Sequence, residues 1–209
     1  VAFGTCAQLG GIPGLANLST REEILREAYG AVAPREEHSE NGHALSLPRL
    51  LDTVLPLHRV IPVEYYVPGC PPSVNIIQDA FGKLLSDSPP PHGSILAPEY
   101  ALCQDCPRRD THPEELTLEG FRRVTDGPID QETCILAQGI PCLGPATRAG
   151  CGARCIEGNM PCTGCLGPAG RAREQGAKAL SATASILAAT DPEAIDHAFD
   201  GLPDPVGLF

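Results

Sequence analysis

The chemistry in this chain is carried by its cysteines. There are ten in 209 residues, and eight of them fall between positions 101 and 168. Their spacing is Cys103-x2-Cys106-x27-Cys134-x7-Cys142-x8-Cys151-x3-Cys155-x6-Cys162-x2-Cys165. Eight thiolates make two sets of four, and a C-x2-C pair is the usual half-site for a shared metal. Disulfides suit small secreted domains that lack a core, and this chain is larger than those. Two readings then stand side by side: four-cysteine zinc sites and iron–sulfur clusters. Clusters want loop-dominated, apolar nests and often have proline beside the ligands. Pro71 and Pro107 follow Cys70 and Cys106, while Pro141 and Pro161 precede Cys142 and Cys162. The region from Cys142 to Cys165 is also crowded with glycine and small residues, so the spacing favours iron over zinc without removing zinc.

Cys6 and Cys70 stand apart from the eight. Each sits in a Gly/Pro-rich stretch, GTCAQLGGIPG and PGCPP. They are either two buried free thiols or two ligands of a site that needs two more. The six histidines, His38, His43, His58, His92, His112 and His197, lie in polar or turn-like contexts and read as solvated. No nucleophile–histidine–acid set, G-x-G-x-x-G fingerprint or Walker motif is present, so no independent catalytic centre is expected.

The elements that must position these thiols differ between the halves. VAFG reads as the end of a buried strand running into a loop at Cys6. A helix is expected next, with Ser19 and Glu22 at capping-box spacing and Gly30 at its end. Positions 31–60 read as a polar surface excursion. Ile61 to Val67 is β-branched and aromatic, so it reads as a strand, followed by a tight loop at Cys70. Val74, Ile77, Phe81 and Leu84 then recur at helical spacing. Two strand–loop–helix units imply a parallel sheet whose loops gather at the strands' carboxyl ends. The Pro-rich stretch 86–98 reads as a linker. Beyond it regular structure is hard to find until an Ala-rich helix at 172–189. The expectation is therefore an α/β parallel-sheet domain over 1–98, then an irregular, loop-rich domain with a C-terminal helix over 99–209.

Composition narrows the function classes. The net charge of −11, without a basic block, argues against nucleic acid. No apolar run approaches the length of a membrane span. The chain starts at Val1 and its single methionine is Met160, so further N-terminal sequence is expected.

GTCAQLGGIPGLANL, YYVPGCPPS, ILAQGIPCLGPATRAGCG and GNMPCTGCLGP together resemble the small subunit of nickel–iron hydrogenases. The type resembled is the F420-non-reducing (methyl-viologen-reducing) one, which works with heterodisulfide reductase. The resemblance spans nearly the whole chain. It implies a flavodoxin-like first domain with a proximal cluster and a second domain with two more. Cys6 and Cys70 correspond to two proximal ligands, and the family's other pair is an N-terminal C-x2-C outside this sequence. The flavodoxin-like domain would thus be incomplete at its N-terminus. Cys103, Cys106, Cys134 and Cys142 correspond to the distal site, where many relatives have histidine at the position of Cys103. Cys151, Cys155, Cys162 and Cys165 correspond to the medial site, and four cysteines there imply a 4Fe–4S cluster.

The resemblance therefore implies three 4Fe–4S clusters relaying electrons in an oxidoreductase complex. The catalytic nickel–iron centre would lie on a separate large subunit. The implied acceptor is a subunit with a 2Fe–2S cluster and a heterodisulfide reductase-type flavoprotein complex, in the cytoplasm. Rival readings are the F420-reducing hydrogenase small subunit, the 20-kDa cluster subunit of NADH–quinone oxidoreductases, and a zinc-binding structural protein.

Overall fold

The computed structural model describes residues 1–30, 38–40, 43–45, 50–170, 172–189 and 191–199. The expected polar excursion lies partly outside these residues, and the C-terminal tail GLPDPVGLF lies wholly outside them. A three-stranded parallel sheet organises the first half. Strand β1 (Ala2–Phe3) and β5 (Ser94–Ile95) flank β4 (Tyr65–Val67). Ala2 pairs with Tyr66, Phe3 with Val67, Tyr65 with Ser94 and Tyr66 with Ile95. Between β1 and β4 the chain runs through α1 (Thr5–Leu9), a 3-10 helix at Ile12–Leu18 and α2 (Arg21–Tyr29). Strands β2 (His38–Glu40) and β3 (His43–Leu45) pair antiparallel. Helix α3 (Val74–Leu84) connects β4 to β5.

Several expectations shift in detail. Cys6 lies inside α1, not in a loop. The capping box of α2 is Thr20 with Glu23, one residue later than the Ser19–Glu22 pair of the same spacing. Only the last three residues of the expected 61–67 strand pair with a neighbour. The proline-rich stretch is not only a linker, because β5 within it completes the sheet. Helix α3 matches its expected span, but its buried stripe is Ile76 and Ala80, with Leu84 packed against the same core. Val74 and Phe81 point outward instead. Complete burial of Ile76 contributes about 1.5–3 kcal/mol.

Positions 101–170 hold four short 3-10 helices, at Leu102–Gln104, Arg109–Thr111, Leu136–Gln138 and Gly144–Ala146. The one α-helix described in that stretch is α4 (Arg154–Glu157). The expected long helix is shorter than 172–189, running as α5 (Gln175–Ala184) and capped by the Glu174 carboxylate. A further helix, α6 (Pro192–Phe199), follows it.

Two apolar cores support the cysteines. The first combines Val67, Ile76, Ala80 and Leu96 with Leu166 from the second half. Leu102, Ile135, Ile140, Ala153, Ile156 and Cys162 make the second, and Cys151 packs against both. Buried Arg148 ties the halves together by donating to the Pro98 carbonyl at 2.9 Å.

Candidate iron–sulfur sites

The loops after β1 and β4 meet, as parallel topology requires. The Gly4 N–H donates to the Val67 carbonyl at 2.7 Å, and the Thr5 N–H to the Gly69 carbonyl at 2.8 Å. The Thr5 hydroxyl completes the junction. It accepts from the Gly69 N–H at 2.9 Å and donates to the Cys165 carbonyl at 2.6 Å. Cys6 and Cys70, both exposed, thus sit on adjoining segments at one end of the sheet. Gly11 folds back over Cys6, where a Cβ would lie 2.9 Å from the sulfur. Only glycine fits there, at φ +50°. Through Thr5 this end of the sheet also reaches Cys165, a cysteine of the second half.

Cys103, Cys106, Cys134 and Cys142 come together around one pocket. Its other walls include Leu102, Leu136 and Ile156, so the thiols face an apolar space. Burial, with the neighbouring Cys142, Cys106 and Cys134, pushes the Cys103 thiol up to about 12. Cys106 and Cys142 are also raised, burial again being the first cause. Thiols this reluctant to ionise need a strong cationic partner to become thiolates, which a bound metal centre would supply. The local scaffold is hydrogen-bonded throughout. The Cys134 N–H donates to the Thr111 hydroxyl at 2.8 Å, and that hydroxyl donates to the Arg108 carbonyl at 2.8 Å. Gly144 forms part of the wall, and a Cβ there would stand 3.1 Å from the Cys103 sulfur and 3.6 Å from that of Cys142.

The remaining four are arranged around Cys162 and Cys165. Cys165 is raised by burial and by the proximity of Cys151, Cys155 and Cys70, while the Cys70 amide opposes that shift. Cys162, buried against the second core, is pushed up to about 12 mainly by burial, with Cys142 and Cys165 adding to it. Cys162 therefore adjoins both sets: its backbone N–H donates to the Cys142 sulfur at 3.4 Å. All ten cysteines are free thiols. Among the described residues no three His, Cys, Asp or Glu side chains form a group that could hold one metal ion. A cubane takes one thiolate per iron, so its ligands stand around a cavity rather than around a point. The four thiols lining one pocket fit that donor pattern.

Sequence reading missed the residues that brace these thiols. Thr5, Thr111, Arg108 and Asn159 act across separations of 160, 23, 48 and 51 positions. Nothing in local spacing announces such contacts. His58, His92 and His112 are exposed, as expected, although His112 also lines the four-cysteine pocket. Among the described residues no helix is long and apolar enough to cross a membrane.

The family described as NADH ubiquinone oxidoreductase, 20 Kd subunit, matches residues 1–84, the part that holds Cys6 and Cys70. Relatives over the whole chain are hydrogenase subunits. The F420-non-reducing hydrogenase iron–sulfur subunit of Archaeoglobus profundus is 40% identical over 200 residues, covering 90% of this chain and 62% of that protein. An F420-non-reducing hydrogenase subunit from Methanothermobacter thermautotrophicus is 39% identical over 217 residues, covering 100% of this chain and 67% of that protein. The corresponding vhu hydrogenase subunit of Methanocaldococcus jannaschii is 38% identical, covering 100% and 66%. The chain thus spans about two thirds of the length of these curated relatives. With this identity carried across both halves, the chain belongs to the family of small iron–sulfur subunits of F420-non-reducing nickel–iron hydrogenases.

Proposed function

We propose that this chain is the electron-relay part of a nickel–iron hydrogenase and holds three 4Fe–4S clusters. The observation that carries the reading is the closure of Cys103, Cys106, Cys134 and Cys142 around one apolar cavity. These four hold the distal cluster, and Cys151, Cys155, Cys162 and Cys165 hold the medial one. Cys6 and Cys70 supply two ligands of the proximal cluster, which two further thiolates complete. Residues 1–98 form the flavodoxin-like domain, and 99–209 form the loop-rich domain with the other two clusters.

When bound, the clusters supply one-electron redox chemistry. This chain supplies positions, solvent exclusion and N–H···S contacts that set how readily each site accepts charge. The bond from the Cys162 amide to the Cys142 sulfur is one such contact. Electrons enter from hydrogen oxidised on the large subunit, whose nickel–iron centre lies outside this chain. That subunit covers the sheet end at Cys6 and Cys70. Ile12, Leu15 and Leu18, three positions apart on the 3-10 helix after α1, are exposed, Leu18 by 84%. A contiguous apolar face of this kind suits burial against a partner. Electrons leave to a 2Fe–2S subunit and a heterodisulfide reductase-type flavoprotein complex in the cytoplasm.

The test is a Cys134→Ser variant of the hydrogenase complex, purified anaerobically and reduced with hydrogen. The expected result is loss of one cluster's EPR signal and of dye reduction, with the large subunit's nickel signal kept. Retention of every cluster and of full dye reduction would contradict the reading.

A further inference from the structure

The wall of the four-cysteine cavity contains a charge that no thiol chemistry requires. Arg108 is 5% exposed and borders the same cavity as Cys103, Cys106, Cys134 and Cys142. Its guanidinium donates from Nη1 to the Asp130 carbonyl at 3.0 Å and the Thr133 carbonyl at 3.4 Å. From Nη2 it donates to the Ile156 carbonyl at 3.2 Å and to Asn159 Oδ1 at 2.8 Å. All four acceptors are uncharged, so the guanidinium is satisfied as a donor yet keeps its charge.

The Arg108 charge helps to lower the Asp130 carboxyl, after its backbone hydrogen bonds, but among the described residues no carboxylate oxygen bonds the guanidinium. Asp130 turns its Oδ1 to the N–H groups of Glu132 and Thr133, at 2.8 and 2.7 Å. Glu132 and Glu157 line an open cleft that Arg108 also borders, where water screens them, and Glu157 adds to the upward shift that burial gives Cys106. Among the described residues no ion pair to Arg108 is present. A cation buried without a counter-ion is costly unless an anion compensates it. The cavity beside it is where four thiolates would gather.

We propose that Arg108 is a potential-setting residue: its buried charge raises the reduction potential of the site formed by Cys103, Cys106, Cys134 and Cys142. The proposal rests on the reading of that site as a 4Fe–4S cluster. Four thiolates around a cubane leave the site net negative, and reduction adds one electron with no bond made or broken. A fixed cation in a low-dielectric wall stabilises the reduced form more than the oxidised form. The neutral hydrogen-bond set keeps this charge in place, because arginine's planar fork stays protonated and oriented. Asn159 has a particular part. It sits at φ +58°, accepts from Arg108 on its Oδ1, and donates from its own Nδ2 to the Ile129 carbonyl at 3.1 Å.

The test uses the whole hydrogenase complex, with iron and acid-labile sulfide measured before an EPR-monitored redox titration. Arg108→Met removes the charge. Asn159→Asp keeps the guanidinium and places a carboxylate against it, neutralising the charge in a side chain of the same shape while losing the bond to the Ile129 carbonyl. Arg108→Lys keeps a charge but loses the fork. The first two variants are expected to shift one cluster's midpoint to more negative potential and leave the others unmoved, with Arg108→Lys close to the parent. Full iron with every midpoint unchanged overturns the proposal, as does loss of the cluster in both Arg108→Met and Asn159→Asp, which reduces Arg108 to an anchor. A parent complex whose chain lacks iron and sulfide overturns the cluster reading itself, before any variant is titrated.

Discussion

The backbone N–H of Cys162 donates to the sulfur of Cys142 at 3.4 Å, joining a cysteine assigned to the medial site to one assigned to the distal site. With the ligands grouped as proposed, only the Cys162 backbone and side chain would separate the two sites along this contact. Because the donor is a backbone amide, it survives replacement of the Cys162 side chain. Cys162→Ser should therefore remove the medial cluster's EPR signal and leave the distal cluster's signal present. Cys142→Ser should remove the distal signal and also alter the medial one, since the amide loses its sulfur acceptor. Identical spectra from the two variants would count against the grouping of the ligands.

Gly144 stands where a Cβ would lie 3.1 Å from the Cys103 sulfur. That approach is tighter than most side chains tolerate, and the extra atoms would enter the cavity wall. Gly144→Val should lower the iron content by one cluster, whereas Gly144→Ala should retain part of it. Iron analysis and EPR of the anaerobic complex check this.

Thr5 holds the sheet end to the second half through Gly69 and Cys165. Thr5→Val keeps the shape and removes both hydrogen bonds, leaving the Gly69 N–H to find water. The expected cost is about 1–3 kcal/mol, read as a lower midpoint of thermal inactivation. Thr5→Ser, which keeps the hydroxyl, should stay close to the parent.

Glu174 caps α5 and its carboxyl is held below the ordinary value of 4.5, first by the Ala177 N–H and then by that of Gly176. The folded pKa is depressed, so the cap's contribution is present above pH 4.5 and lost as pH falls through the lower folded value. Amide exchange in α5 should therefore quicken on acidification below that point in the parent. In Glu174→Gln, whose cap does not titrate, this extra acid dependence should vanish.

Much of the framework was legible because it is local. The α3 span followed from apolar spacing, and the meeting of the two loops followed from parallel topology. Strand β5 was not legible, since two residues, Ser94–Ile95, carry no periodicity and lie among prolines. The start of α2 was placed one residue early, at Ser19 with Glu22, because Thr20 with Glu23, the pair that caps the helix, has the same spacing. Cys6 read as a loop residue because Gly4 and Gly10 flank a helix of five residues, too short for a pattern. The cysteine set was visible from side-chain type alone. Its bracing by Arg108 and Asn159 was not, because that depends on how a turn 51 positions away folds back.

The central claim is that this chain carries clusters rather than single ions, and metal analysis addresses it directly. The chain in its anaerobically purified complex should contain iron and acid-labile sulfide in equal amounts, about twelve of each for three 4Fe–4S sites. Zinc bound at the cysteines with no sulfide would contradict the account.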